Sequence, residues 1–168
     1  MMFRCVIACL SLSIASYAHA EDASEIFHQS GLPIPRFVSL KSGKINMRIG
    51  PGKHYPISWV YKRKQMPVEV VEEFGHWRKT RDIEGTEGWI RSNLLSGTRT
   101  ALIKEQRRPL FVAPDLGTKI LIEVDPLVPG AIEQCTLKWC QLTFDNFTGW
   151  APKDYIWGVY DNEVIESD

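Results

Sequence analysis

The sequence is poor in the features that usually declare a function. Among 168 residues there is no excess of either charge, with 20 Lys+Arg against 20 Asp+Glu. This argues against a dedicated nucleic-acid binder, which would show a basic excess on some face. Only 4 His and 4 Cys are present, and no G-x-S-x-G, H-E-x-x-H or phosphate-cradling glycine loop occurs. No stretch keeps a helical period for three turns without Pro or Gly interrupting it. Long apolar runs are also missing, save one near the N-terminus that is too short and wrongly flanked to span a bilayer. What remains, 44% hydrophobic and 24% charged, is the composition of a globular chain.

The N-terminal run reads as a secretory signal. Arg4 precedes the apolar or small residues Val6 to Ser16, and Ala18-His19-Ala20 offers a small-x-small cleavage site. Cleavage after Ala20 begins the mature chain at Glu21, with no stable membrane insertion afterwards. A rival reading makes Val6-Ile7-Ala8-Cys9 a lipoprotein box, but almost no hydrophobic core precedes Cys9. With Cys5 and Cys9 removed, only Cys135 and Cys140 remain, and two thiols in an oxidising compartment most simply form a disulfide. The alternative, a zinc half-site, lacks both C-x-x-C spacing and a nearby His, so no metal or other cofactor is expected.

Residues 21–35 are polar and then Pro-rich, a tether or edge segment. Short β-branched and aromatic runs follow at Arg36–Leu40, Ile45–Arg48, Ser58–Val60, Val68–Glu72, Trp77–Thr80 and Gly88–Ile90, each bounded by turn residues. The mature chain should be nearly all β. The same marks then recur. Asn46 to Pro109 is a shift of 63, Trp77 to Trp139 a shift of 62, and Trp89 to Trp150 a shift of 61. The repeat divides the chain into a signal (1–20), a tether (21–35), two domains (36–99 and 100–160) and an acidic tail (161–168). Each domain has the size of the smallest units that fold alone. Shifting Cys135 and Cys140 back by 62 lands on Glu73 and Arg78. An exposed ion pair is therefore expected in the first repeat where the second has its staple.

The sequence Asn46-Met47-Arg48-Ile49-Gly50-Pro51-Gly52 resembles the N-x-R-x-G-P opening of bacterial SH3 (SH3b) domains. Trp77 and Gly88-Trp89-Ile90 are similar to that family's W…GW close. Across almost all of the mature chain the likeness is to exported tandem SH3-like proteins of α-proteobacteria. Cys135, Trp139-Cys140 and Trp157-Gly158-Val159-Tyr160 fit the second repeat. That repeat departs from the signature, with Pro109-Leu110-Phe111-Val112 in place of Asn-x-Arg-x. The resemblance implies two small, strongly bent SH3-like β-barrels, a periplasmic or secreted location, and binding rather than catalysis. Its ligands would be cell-wall peptides or envelope proteins.

Within that frame Tyr55 and Trp59 follow the Gly50-Pro51-Gly52 turn and are the candidate walls of a ligand groove. They could equally cover the barrel end. Arg48 could tie the turn carbonyls or receive a peptide carboxylate. Trp89 and Trp150 read as core, while Trp77 and Trp139 could be core or half-exposed. Arg99, Lys104, Arg107 and Arg108 form a basic cluster at the join that could face an anionic polymer. No catalytic residues are assigned. Two functions stand: a binding module for a peptide-like envelope ligand such as the peptidoglycan stem peptide, or an adaptor that docks another envelope protein through the join and Trp157–Tyr160.

Overall fold

A computed structural model describes residues 30–167. The expected signal segment, its cleavage site and all but the last residues of the tether lie outside them. Fourteen short strands make up the rest. They are β1 (Arg36–Leu40), β2 (Ile45–Arg48), β3 (Ile57–Tyr61), β4 (Pro67–Phe74), β5 (Trp77–Arg81), β6 (Glu87–Arg91) and β7 (Leu95–Ser96) in the first unit. The second unit holds β8 (Thr100–Ile103), β9 (Arg108–Phe111), β10 (Ile120–Val124), β11 (Pro129–Cys135), β12 (Trp139–Phe144), β13 (Phe147–Pro152) and β14 (Ile156–Trp157). A single 3-10 turn precedes the last strand of each unit, at 92–94 and 153–155.

The two sheets have one topology. Strand order is β3-β2-β6-β5-β4-β1-β7 in the first and β10-β9-β13-β12-β11-β8-β14 in the second, the same order advanced by seven strands. The all-β tandem SH3-like fold is therefore present, with one correction. The expectation of barrels implies closure, whereas each sheet here stays open, with β3 and β7 at the two edges of one ladder and β10 and β14 at those of the other. The terminal strands β7 and β14 are two residues long, too short to carry a ladder round to the opposite edge.

Local sequence explains the hairpins. Phe74 pairs with Trp77 across the two-residue loop Gly75-His76, where Gly75 takes φ 51°, and Phe144 pairs with Phe147 across Asp145-Asn146. Such tight loops need positive φ, which Gly and Asp tolerate. Alternation is plain in β5, where Arg78 and Thr80 go inward while Trp77 and Lys79 are half-buried, whereas β8 is buried along its whole length. Leu40, Ile45, Met47, Val68, Val70 and Ile90 centre the first core, and Ile103, Leu110, Cys140, Leu142, Ala151 and Ile156 the second. Gly88 of the Gly-Trp pair lets β6 approach β2, since a Cβ there would lie 2.6 Å from Met47 Cγ.

The units are joined by a packed interface. Phe37 of β1 meets the Trp157 ring edge-on at 5.0 Å and the Tyr160 ring at 4.8 Å. Tyr160 donates its hydroxyl to Glu69 Oε1 at 2.9 Å, while Arg81 donates twice to the other oxygen of that carboxylate. Thr100 donates to the Gln65 carbonyl at 2.9 Å, and Arg63 to that of Leu127 at 2.6 Å. The buried Lys153 ammonium donates to the carbonyls of Tyr160, Asp161 and Glu163, which holds that loop in place.

Candidate functional site

The repeat arithmetic on the cysteines has a direct structural counterpart. Cys135 pairs with Cys140 in register across β11 and β12 and the two are joined by a disulfide. Glu73 pairs with Arg78 at the same place in β4 and β5, with Oε1 3.1 Å from Arg78 Nε. The expected exposure of that pair is wrong, because Glu73 is 0% exposed. Ser30 donates its N–H and hydroxyl to the two carboxylate oxygens at 2.8 and 2.7 Å, and Arg36 donates at 2.6 Å. Burial pushes this carboxyl up, but the Ser30 and Arg36 hydrogen bonds and the Arg78 charge outweigh it and hold it below the usual carboxylate range.

Of the expected groove residues, Tyr55 lies across the turn, its ring where a Gly50 Cβ would sit (2.6 Å) and 4.3 Å from the His54 ring. It is 37% exposed. Arg48 Nη1 donates to the Tyr55 carbonyl at 2.6 Å, which ties strand β2 to the turn. Trp59 lies within the expected strand run, which the fold extends to Ile57–Tyr61, and is 49% exposed on edge strand β3. Register separates it from Arg48. Trp59 stands opposite the fully buried Met47 and so shares the core-side face, whereas Arg48, next in sequence to Met47, takes the other.

Two cavities of the first unit follow from this split. One, about 570 Å³, opens along the β3 edge with Ile57, Trp59, Tyr61 and Met66 among its walls. The other, about 240 Å³, is lined by Asn46, Arg48, Lys53, Trp77, Arg91, Asn93 and Leu94. Sequence reasoning found Arg48 but missed Lys53, Arg91 and Asn93. The signal was available for Arg91, which pairs with Trp77 across β5 and β6 and directly follows the Gly-Trp-Ile close.

Of the two tryptophans expected as core, the second unit's Trp150 differs. Trp89 is buried but its counterpart Trp150 is only half-buried, as are Trp77, Trp139 and Trp157. A groove of about 880 Å³ runs over the hairpin tip between Pro114, Leu137, Trp139, Val164 and Ile165. Leu137 is 64% and Val164 55% exposed there. The basic cluster expected at the join is largely engaged: Arg99 pairs with Glu163, Arg107 with Asp125, and Arg108 lies over the Tyr155 ring at 4.5 Å. Trp157 and Tyr160, offered as adaptor contacts, are instead taken up between the units. Among the described residues no group of three or more metal-ligating side chains comes together.

Fold, repeat and signature define the class, a tandem of small SH3-like units. The family model of the bacterial SH3 domain matches residues 41–97 and again 104–158, more than half of the chain, and the chain belongs to that family. Domains of this family are generally non-catalytic binding modules of the cell envelope. No curated protein matches the chain. Among solved structures it is similar to NlpC1 from Trichomonas vaginalis, at 11% identity and a TM-score of 0.32. That likeness covers 75% of this chain and 46% of the other, so the chain spans less than half of that relative's length.

Proposed function

We propose that the chain is an exported, non-catalytic binding module of the cell envelope whose first unit takes a peptide-like ligand, the stem peptide of peptidoglycan. The 240 Å³ cavity between the opening signature and Trp77 carries this reading. It is smaller than the usual pocket for a whole small-molecule ligand, about 300–1,000 Å³, and suits the end of an extended chain. An indole wall, two carboxamides and cationic side chains supply the apolar contact and polar rim that fix a peptide's end. Arg48 and Tyr55 are coupled by their hydrogen bond, so a ligand that engages Arg48 also bears on the Tyr55 turn. Trp59 would contact the ligand only where it passes over the β3 edge.

The test is retention on purified sacculi. Binding above an unrelated control domain, with Trp77→Ala reducing it at least tenfold, is the expected result, and retention no better than the control contradicts the reading. A second function, docking of another envelope protein, is favoured by the apolar groove over the second unit's hairpin tip. A failed sacculus assay combined with capture of one envelope protein that Leu137→Asp abolishes would replace the first reading with this one.

A further inference from the structure

We infer that the cavity beside Trp77 is a carboxylate receptor: Arg48, Arg91 and Lys53 together take a free carboxylate of an extended peptide, and Asn46 and Asn93 orient it. The inference rests on the reading above for its ligand class but on separate observations for its chemistry.

The first is the state of the arginines. Every other buried or half-buried arginine among the described residues has a carboxylate or a ring: Arg36 and Arg78 meet Glu73, Arg99 meets Glu163, and Arg108 covers Tyr155. Arg48 has only the Tyr55 carbonyl. Arg91, also half-buried, has no side-chain partner among the described residues, and neither has Lys53. In a chain with equal numbers of each charge, three cations without an acid lining one small cavity are an arrangement that self-repulsion opposes. A bound anion relieves it, and a guanidinium fork matches the two oxygens of a planar carboxylate.

The second observation is the other unit, which has the same topology and serves as an internal comparison. Arg48 pairs with Trp89 where Phe111 pairs with Trp150, and Arg91 pairs with Trp77 where Pro152 pairs with Trp139. In the matching 3-10 turn Asp154 occupies the place of Asn93. Phe111 meets Trp139 edge-on at 5.8 Å, and the cavity on that side pairs two lysines, Lys138 and Lys153, with two carboxylates, Asp154 and Asp161, where the first unit's has cations alone. The fold is thus built without an arginine at either position, and although Arg48 ties β2 to its turn, the Arg91 and Lys53 side chains make no such tie among the described residues. It also follows that the two units do not share a ligand.

The experiment is a titration of the chain from Glu21 with an N-acetylated stem peptide carrying free carboxylates and with its fully amidated counterpart, followed at the Trp77 indole N–H. The free acid should bind at least tenfold more tightly than the amide. Arg91→Gln and, on the exposed loop, Lys53→Gln should each weaken it about tenfold, the scale of one charge-assisted hydrogen bond. Arg107→Gln on the second unit should leave it unchanged. Equal binding of acid and amide overturns the inference while leaving the wall-peptide reading in place. Binding of the free acid by a chain that sacculi fail to retain supports the inference and removes that reading. Competition by inorganic phosphate as effective as by acetate contradicts the carboxylate assignment.

Discussion

Glu73 collects donors from three separate pieces of chain: Ser30 ahead of the first strand, Arg36 at its start, and Arg78 across the hairpin. Removing one partner from a buried ion pair leaves the others uncompensated, at a cost of about 3–5 kcal/mol. Glu73→Ala should destabilise the first unit by that order in chemical denaturation. Acid should act at the same place. The folded carboxyl titrates below its unfolded value, so its contribution is fully present above the unfolded value, about pH 4.3, and is lost as pH falls through the lower folded one. Glu163 follows the same sign: burial pushes it up, but Arg99, the Tyr160 N–H and Lys153 hold it down. Wild-type stability should therefore drop on acidification through this window, and Glu73→Gln should flatten part of that drop. An unchanged acid profile in that variant would contradict the account. Repeat arithmetic alone makes Glu73 and Arg78 face each other, but their burial was not legible. It is produced by Ser30 and Arg36, whose approach is set by tertiary structure rather than by spacing.

At the scale of elements, the equivalent hairpins are held by different means and closed by different ends of the chain. Ser30 approaches Glu73 from the N-terminal side, whereas Ile165 bridges Cys135 from the C-terminal side through bonds of 2.7 and 3.0 Å. The six-residue ring closed by Cys135 and Cys140 is worth about 2 kcal/mol in chain entropy. Reduction should raise hydrogen exchange in β11, β12 and the strand partner at Ile165, with the β4–β5 hairpin little changed. Equal loss of protection in both hairpins would contradict this. The positions of the first unit's strands and the repeat were legible here because β-branched runs, turn residues and the recurring tryptophans are local signals, whereas the order of strands in the sheet was not. Trp59 shows where such signals stop. Its run, Ser58–Val60, reads as strand, but its place on the sheet edge and on the face opposite Arg48 comes from pairing with Met47. That outcome depends on register with β2, including the shift between Met47 and Arg48, which no single run encodes.

Over the whole molecule, the mutual placement of the units rests on Phe37, Trp157, Tyr160, Glu69 and the Arg99–Glu163 pair. Burial and the Glu69 bond push the Tyr160 phenol well above its ordinary range, so it remains a donor at any working pH. Tyr160→Phe should lower stability by about 0.5–1.5 kcal/mol, the net worth of one hydrogen bond. Phe37→Ala should go further and split a single calorimetric transition into two, and one unaltered transition would show that this contact does not couple the units. None of this was readable from either repeat, because the contacts link residues of different repeats, 91 positions apart for Tyr160 and Glu69 and further for Phe37 and Tyr160. The consequence for function is that one unit presents a cationic cleft and the other an apolar groove in a fixed relation. The most direct test is a residue-resolved NMR titration of the chain from Glu21 with soluble peptidoglycan fragments. The account expects saturable shifts at Asn46, Arg48, Trp77 and Arg91, with none at Trp139. Shifts confined to Leu137, Trp139 and Val164, or no shifts at millimolar ligand, would contradict it.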